Sequence, residues 1–393
     1  MDVALSILAI AAAVLAVTAL AERLNVTAPL LLMLIGIGAS FVPFIEVPEL
    51  TPELVLLGFL PPLLYATAIR TSLIDIRANK RAIGALSVLL VVVTALGVGL
   101  ITWWILPVNF AAAFALGAVV APPDAVAATS IARRVGLPRP LVTILEGESL
   151  VNDATAITCL RVAVAAIGGA VSVAEVTGGF LIEAGGGVLV GLLVATVVVP
   201  IRRRITQPVF DTAISLLVPF AAYVPAQMIK IGEFHGSGII AVVTAGLVLG
   251  HKSPVIQSGQ SRLNERVNWA TISFLLENTV FLLIGLQARR IITEVGESEL
   301  SGGRIAFFVL AVLVGVILIR LVWVSSARSF LFRRKWHESY TPPWGHTLVI
   351  GWAGLRGVVT LAAAFLIPED VPEREILIPV SYTHLTLPTT PYV

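Results

Sequence analysis

Twelve apolar runs follow one another along this chain, at residues 3–20, 28–45, 52–69, 82–106, 110–132, 140–168, 178–201, 211–229, 237–250, 270–292, 304–331 and 344–367. A helix crosses the hydrocarbon of a bilayer in about 20 apolar residues, and most of these runs reach that length. They are continuous rather than alternating, which fits helices and not barrel strands. The chain is 57% hydrophobic and 13% charged, with mean hydropathy +0.96, where a soluble domain carries about 25% charged residues. The reading is an all-α polytopic protein embedded in a lipid bilayer, with no gap between runs that leaves room for a separate soluble domain. A net charge of +2 offers no basic surface for nucleic acid. The single cysteine, Cys159, excludes a disulfide framework and a cysteine metal site.

The loops test the count of runs. Those after odd-numbered runs are basic: Arg70, Arg77, Lys80 and Arg81; Arg133, Arg134 and Arg139; Arg202, Arg203 and Arg204; Lys252, Arg262 and Arg266; Arg328, Arg333, Arg334 and Lys335. The loop after the second run holds Glu46, Glu49 and Glu53, and those after the fourth and sixth carry no base; Arg289, Arg290 and Arg304 after the tenth are the exception. The positive-inside rule places the basic loops in the cytoplasm and the N-terminus outside. The first run is read as a span, not a cleaved signal, because Asp2 precedes it and no basic segment does. Residues 1–380 form one transmembrane domain. The closing "SYTHLTLPTTPYV", residues 381–393, is neither apolar span nor charged tail and is read as non-native, against the alternative of a genuine short tail.

A charge at mid-membrane costs roughly 2.5–3.5 kcal/mol on insertion scales and is a functional-site hypothesis by default. Four places qualify. In "APPDAVAA" two prolines remove backbone donors just before Asp124, which reads either as the cap of a resuming helix or as a carboxylate at a helix break. In "EGESLVNDATAI", Glu146, Ser149 and Asp153 fall within about 60° on a helix, and Glu148 and Asn152 share a neighbouring edge. In "GWAGLRGVVTLA", Arg356 lies mid-run among Gly351, Gly354 and Gly357, as the only basic residue expected at that depth. A buried guanidinium needs a partner, and Glu146, Glu148 and a carboxylate of the tenth run are the candidates. In "SFLLENTVFLLIGLQ", Glu277 and Asn278 read as a structural pair or interhelical hydrogen bond. Hard oxygen donors suit a hard cation such as sodium or potassium better than zinc or copper.

These motifs together resemble the monovalent cation:proton antiporters of the sodium/proton exchanger type, the prokaryotic NhaP branch above all, over about residues 1 to 378. The resemblance implies two inverted repeats of six helices with broken helices crossing at runs 5 and 12, and thirteen spans in all, so one span is expected to be missing here. It implies that Asp153 is the shared proton and cation (Na+) site, with Asp124, Asn152 and Ser149 supporting it. It implies that Arg356 pairs with a glutamate of the sixth run, taken as Glu146, with Glu148 and Glu277 as supporting candidates. It also implies a homodimer in the plasma (inner) membrane serving pH homeostasis, with no cofactor. Two positions depart from the family pattern: Ala66 follows "PPLLY", where many members have an acid, and Pro123 precedes Asp124, where many have Thr.

A carboxylate that crosses only when neutralised by a proton or by a cation exchanges one for the other. Asn rather than Asp at position 152 leaves the site with one fewer negative charge, so one-for-one electroneutral exchange is expected. Potassium in place of sodium, or a truncated chain without activity, are the alternatives. An intramembrane enzyme would need a motif such as H-E-x-x-H, which is absent, and a channel shares the spans but not the acid and base of a broken-helix core.

Overall fold

The computed structural model describes residues 2–43, 51, 53–123, 138–169, 173–231, 234–297, 300–331 and 344–352, with 363, 364, 367, 371 and 377. Every expected span carries a helix. They are α1 (Asp2–Leu24), α2 (Ala28–Ser40) and α3 (Leu60–Ala68), then the short α4 (Leu73–Ala78) and α5 (Lys80–Gly84). Next come α6 (Leu90–Ile105), α7 (Phe110–Val120), α8 (Arg139–Gly168), α9 (Val173–Arg204) and α10 (Pro208–Met228). A two-residue ribbon, β1 (Lys230–Ile231) antiparallel to β2 (Phe234–His235), leads to α11 (Gly238–Ile256), α12 (Gly259–Leu286), α13 (Ala288–Glu297), α14 (Gly302–Leu331) and α15 (Trp344–Trp352). Among the described residues eight helices are long and apolar enough to cross a membrane, and Ala28–Ser40, Leu54–Ala68 and Phe110–Val120 are shorter.

Prolines set two irregularities. Pro61 and Pro62 have no N–H to give, and the helix before them widens into a π-turn over Leu54–Phe59. α7 stops at Val120, short of the run expected to 132, and Ala121, Pro122 and Pro123 are not helical. Residues 124–137, with Asp124, lie outside the described residues, as do Arg356 and the tail at 381–393. The resumption of both helices, their crossing, the repeat symmetry and a thirteenth span concern those residues.

The helices sort into two packs around separate apolar cores. In one, α9, α10 and α11 pack together and onto α3, while α2 lies along α12. In the other, α7 packs against α6 and α8, and α14 against α6 and α15. With no hydrophobic drive between helices in lipid, close backbone approach carries much of this packing. A Cβ on Gly36 of α2 would sit 2.6 Å from the Leu282 carbonyl and 2.9 Å from the Gly285 Cα of α12. Only paired glycines let these two helices meet.

Two expectations need correction at the basic end of the first pack. Arg202 is not a loop residue: it belongs to α9 and is 1% exposed. Its guanidinium donates to Asp211 of α10 at 2.7 and 2.9 Å and to Glu265 of α12 at 2.9 Å. Gln257 donates to both carboxylates, Ser215 donates to Glu265, and Trp269 donates to Ser215. This cluster is also why α12 begins at Gly259 and not near 270: its polar first turns are buried on Arg202 and Asp211 rather than left in a loop.

The glycine packing has a direct check. Gly36→Ala forces α2 off the α12 backbone and should cost about 1–3 kcal/mol. Gly38→Ala, two residues on with nothing within 4 Å of a Cβ, should leave stability unchanged or raise it, since Ala is the better helix former. Thermal unfolding of the two variants in detergent reads the difference; equal midpoints would refute the close-approach argument.

Candidate functional site

α8 lies between the two packs and has a face for each. Leu150, Ala154 and Ile157 recur at i, i+4 and i+7 and join the core of α3, α9, α10 and α11. Ala156, Leu160 and Ala163 recur in the same way and join the core of α6, α7 and α14. At about 100° per residue, Glu146, Ser149 and Asp153 fall between these stripes. The seam between the packs therefore carries the polar residues singled out in the sequence. Asp153 is 7% exposed, Ser149 is half-buried and Glu146 is half-buried.

Asn152 is fully buried, and its Nδ2 donates to the Pro123 carbonyl at 2.8 Å. That carbonyl belongs to the non-helical end of α7, immediately before Asp124. The contact fixes the amide, so Oδ1 points elsewhere, and this oxygen has no hydrogen-bond partner among the described residues. A buried acceptor left unsatisfied costs about 1–3 kcal/mol. The contact thus brings Asn152 of α8 to the non-helical residues that follow α7, immediately before Asp124, which is itself outside the described residues.

Glu146 faces a cavity of about 420 Å³ at the end of the bundle that carries the basic loops, lined also by Arg70, Ser72, Asp75, Arg139, Val142 and Thr143. Arg139 pairs with Asp75 at 3.8 Å across its exposed rim. Arg70 donates to the Arg266 carbonyl at 3.2 Å. Burial lowers its pKa, with Arg266 acting in the same direction and Glu277 against it. Glu277 of α12 is therefore in the field of Arg70.

Glu148 takes a different place from its neighbours. It points away from the seam and receives Arg320 of α14 at 2.6 and 3.1 Å, both side chains nearly wholly buried. Arg320 also donates to the Ile350 carbonyl of α15 at 3.3 and 3.2 Å. One guanidinium thus ties three helices of the second pack. The expectation that Arg356 is the only base at this depth is corrected by Arg320. Arg320 sits as a single charge inside the apolar run "VILIRLVWV", and that isolation was the available signal. The expected pairing of Glu146 with Arg356 falls on a residue outside those described.

Breaking a buried ion pair from one side leaves an uncompensated charge and costs about 3–5 kcal/mol, while replacing both partners by apolar residues is often neutral. Arg320→Met alone should therefore lower the thermal midpoint sharply, and Arg320→Met with Glu148→Leu should recover most of the loss. A double variant as unstable as the single one would overturn this account of the pair.

Comparison with known proteins places this geometry. The profile of a family described as "Sodium/hydrogen exchanger, transmembrane" matches residues 9–391. An uncharacterized Na(+)/H(+) exchanger of Mycobacterium tuberculosis is 36% identical over 385 residues, covering 95% of this chain and 69% of that protein. A sodium, potassium, lithium and rubidium/H(+) antiporter of Bacillus subtilis is 31% identical over 371 residues, covering 89% and 54%. The solved sodium proton antiporter MjNhaP1 of Methanocaldococcus jannaschii at pH 8 superposes with a TM-score of 0.78, covering 99% of this chain and 96% of that one at 20% identity, a likeness of fold. The chain belongs to the sodium/hydrogen exchanger family, whose members are secondary transporters and not enzymes.

Proposed function

We propose that this protein exchanges a monovalent cation, sodium in the first instance, for a proton, and that Asp153 is the group that carries each in turn. The observation that carries this reading is a buried carboxylate beside a fixed amide, bonded to the non-helical Pro123 and with its oxygen unsatisfied among the described residues, on the same helix. A sodium ion takes several oxygen donors. Asp153 supplies the charge, and Asn152 Oδ1, Ser149 and Asp124 are the further donors proposed. A proton on Asp153 neutralises the same charge, so the two compete.

With Asn at position 152 the site carries one negative charge from this pair, which supports one-for-one electroneutral exchange. The cavity at Glu146 is proposed as the cytoplasmic approach, in keeping with the basic loops on that side. The N-terminus then lies outside, the protein sits in the plasma (inner) membrane, and it works as a homodimer. Potassium is the second reading, favoured by the breadth of cations in the name of the Bacillus subtilis relative. A panel of alkali chlorides, added to vesicles with a pH-gradient dye, separates the two.

Asp153→Asn should abolish cation-dependent proton flux while leaving expression intact. Flux at the wild-type rate from that variant removes Asp153 from its role. In the unaltered protein an imposed membrane potential should leave the exchange rate unchanged, and a clear response to it would refute electroneutrality.

A further inference from the structure

The seam that carries Asp153 is unlike at its two ends. At the basic end it widens into the cavity faced by Glu146. Towards the other end, about one and a half to two turns beyond Asp153, the face of α8 turned to α9 and α10 is held to the first pack by charge. Thr158 of α8 donates to Glu183 Oε2 of α9 at 2.6 Å, and Arg161 Nη1 donates to Glu183 Oε1 at 3.3 Å. Arg161 Nη2 also reaches the side-chain oxygen of Gln227 on α10 at 3.3 Å. The backbone is drawn in as well: Ser237 N–H, at the start of α11, donates to the Glu183 carbonyl at 3.0 Å, and His235 Nδ1 lies 3.0 Å from the Gln227 carbonyl. Glu183 is 2% exposed, and it lies within an apolar run that the exchange site does not use.

This cluster joins the two packs. Thr158 and Arg161 belong to the helix that bears Ser149, Asn152 and Asp153, while Glu183 and Gln227 belong to the opposite pack. α8 meets α9 only lightly among the described residues. Hydrogen bonds to a single carboxylate therefore fix where α8 stands against α9 at this end. A polar closure differs physically from an apolar one. If the seam opens here, Arg161, whose side chain is already 33% exposed, and Glu183 exchange each other for water, and solvated ion pairs are worth little. Closed, the same pair sits where the dielectric is low and holds firmly. That makes a contact that can be held closed or exchanged for water, as a moving element requires.

We infer that Glu183 is a positioning residue for the exchange: with Thr158 and Arg161 it forms a releasable catch that holds α8 closed at the end opposite the cavity, and it lets go when Asp153 is exposed there. This rests on the exchange proposed above. Two measurements test it, both in a Cys159→Ser background to remove the native thiol. First, Thr158→Cys with Glu183→Cys, bridged by a short bifunctional thiosulfonate, should stop cation-dependent proton flux, and reductant should restore it. Second, Glu183→Gln should change the ratio of half-saturating cation concentrations, measured in everted and right-side-out vesicles, by at least about threefold. Glu183→Asp should restore that ratio in part.

Undiminished flux from the bridged protein overturns the catch. So does an unchanged ratio in Glu183→Gln accompanied only by a lower melting temperature, which is what a static structural pair gives. If the unaltered protein shows no flux, the exchange reading fails first. Labelling of Thr158→Cys by a membrane-impermeant maleimide still decides the catch, since it should rise when Glu183→Gln is added, and no rise refutes it.

Discussion

A charge inside a bilayer protein must meet its partner within the protein, because lipid offers none. That constraint organises this fold. Arg202 binds Asp211 and Glu265 within the first pack of helices, and Arg320 binds Glu148 and the end of α15 within the second. Each cluster ties three helices of its pack together. Arg161 and Glu183 are of a different kind, since they pair across the packs. Two internal ties and one crossing tie leave α8 as the helix whose position is set by both sides.

The phase of α8 explains why one helix serves three purposes. Its apolar residues form two stripes, one for each pack, and three polar edges remain. Glu148 takes the edge turned into the second pack and becomes structural. Thr158 and Arg161 take the edge turned to α9 and α10. Asp153 and Ser149 lie on the seam, where either pack can contribute to their surroundings. Asn152 extends this by gripping the Pro123 carbonyl. Ala121, Pro122 and Pro123 are not helical, and it is the Pro123 carbonyl that meets this amide.

Much of this was legible in the sequence. The twelve runs each carry a helix, because an apolar run of that length has no other low-energy structure in lipid. The helical phase of "EGESLVNDATAI" separated Glu148 and Asn152 from Asp153 correctly, since phase is a local property. Partners were not legible, because pairing is decided by which helices pack, and Arg320 is 172 residues from Glu148 in sequence. The lone charges Arg161, Glu183 and Arg320 were passed over for a related reason. A single arginine barely lowers the hydropathy of a long apolar run, so the run reads as lipid-facing throughout. Arg202 was hidden by its neighbours: in "RRR" it looks like a solvated loop, and only its helical phase turns it inward while Arg203 and Arg204 remain exposed.

The difference between the two ends of the seam bears on how exchange avoids becoming a leak. An open path on both sides at once would let protons run down their gradient past Asp153. In the arrangement described here the cavity and the polar closure stand at opposite ends of α8. Both are attached to the same rigid helix, so a displacement that draws Thr158 and Arg161 away from Glu183 also moves the Glu146 end against Arg70 and Asp75. On the proposed exchange, opening at one end is then coupled to closing at the other through the stiffness of α8 itself. The charge count supports the same cycle. On the exchange proposed above, Asp153 is neutralised by one proton or by one monovalent cation, so the helix carries equal charge in both directions and only the empty, charged site is penalised for moving.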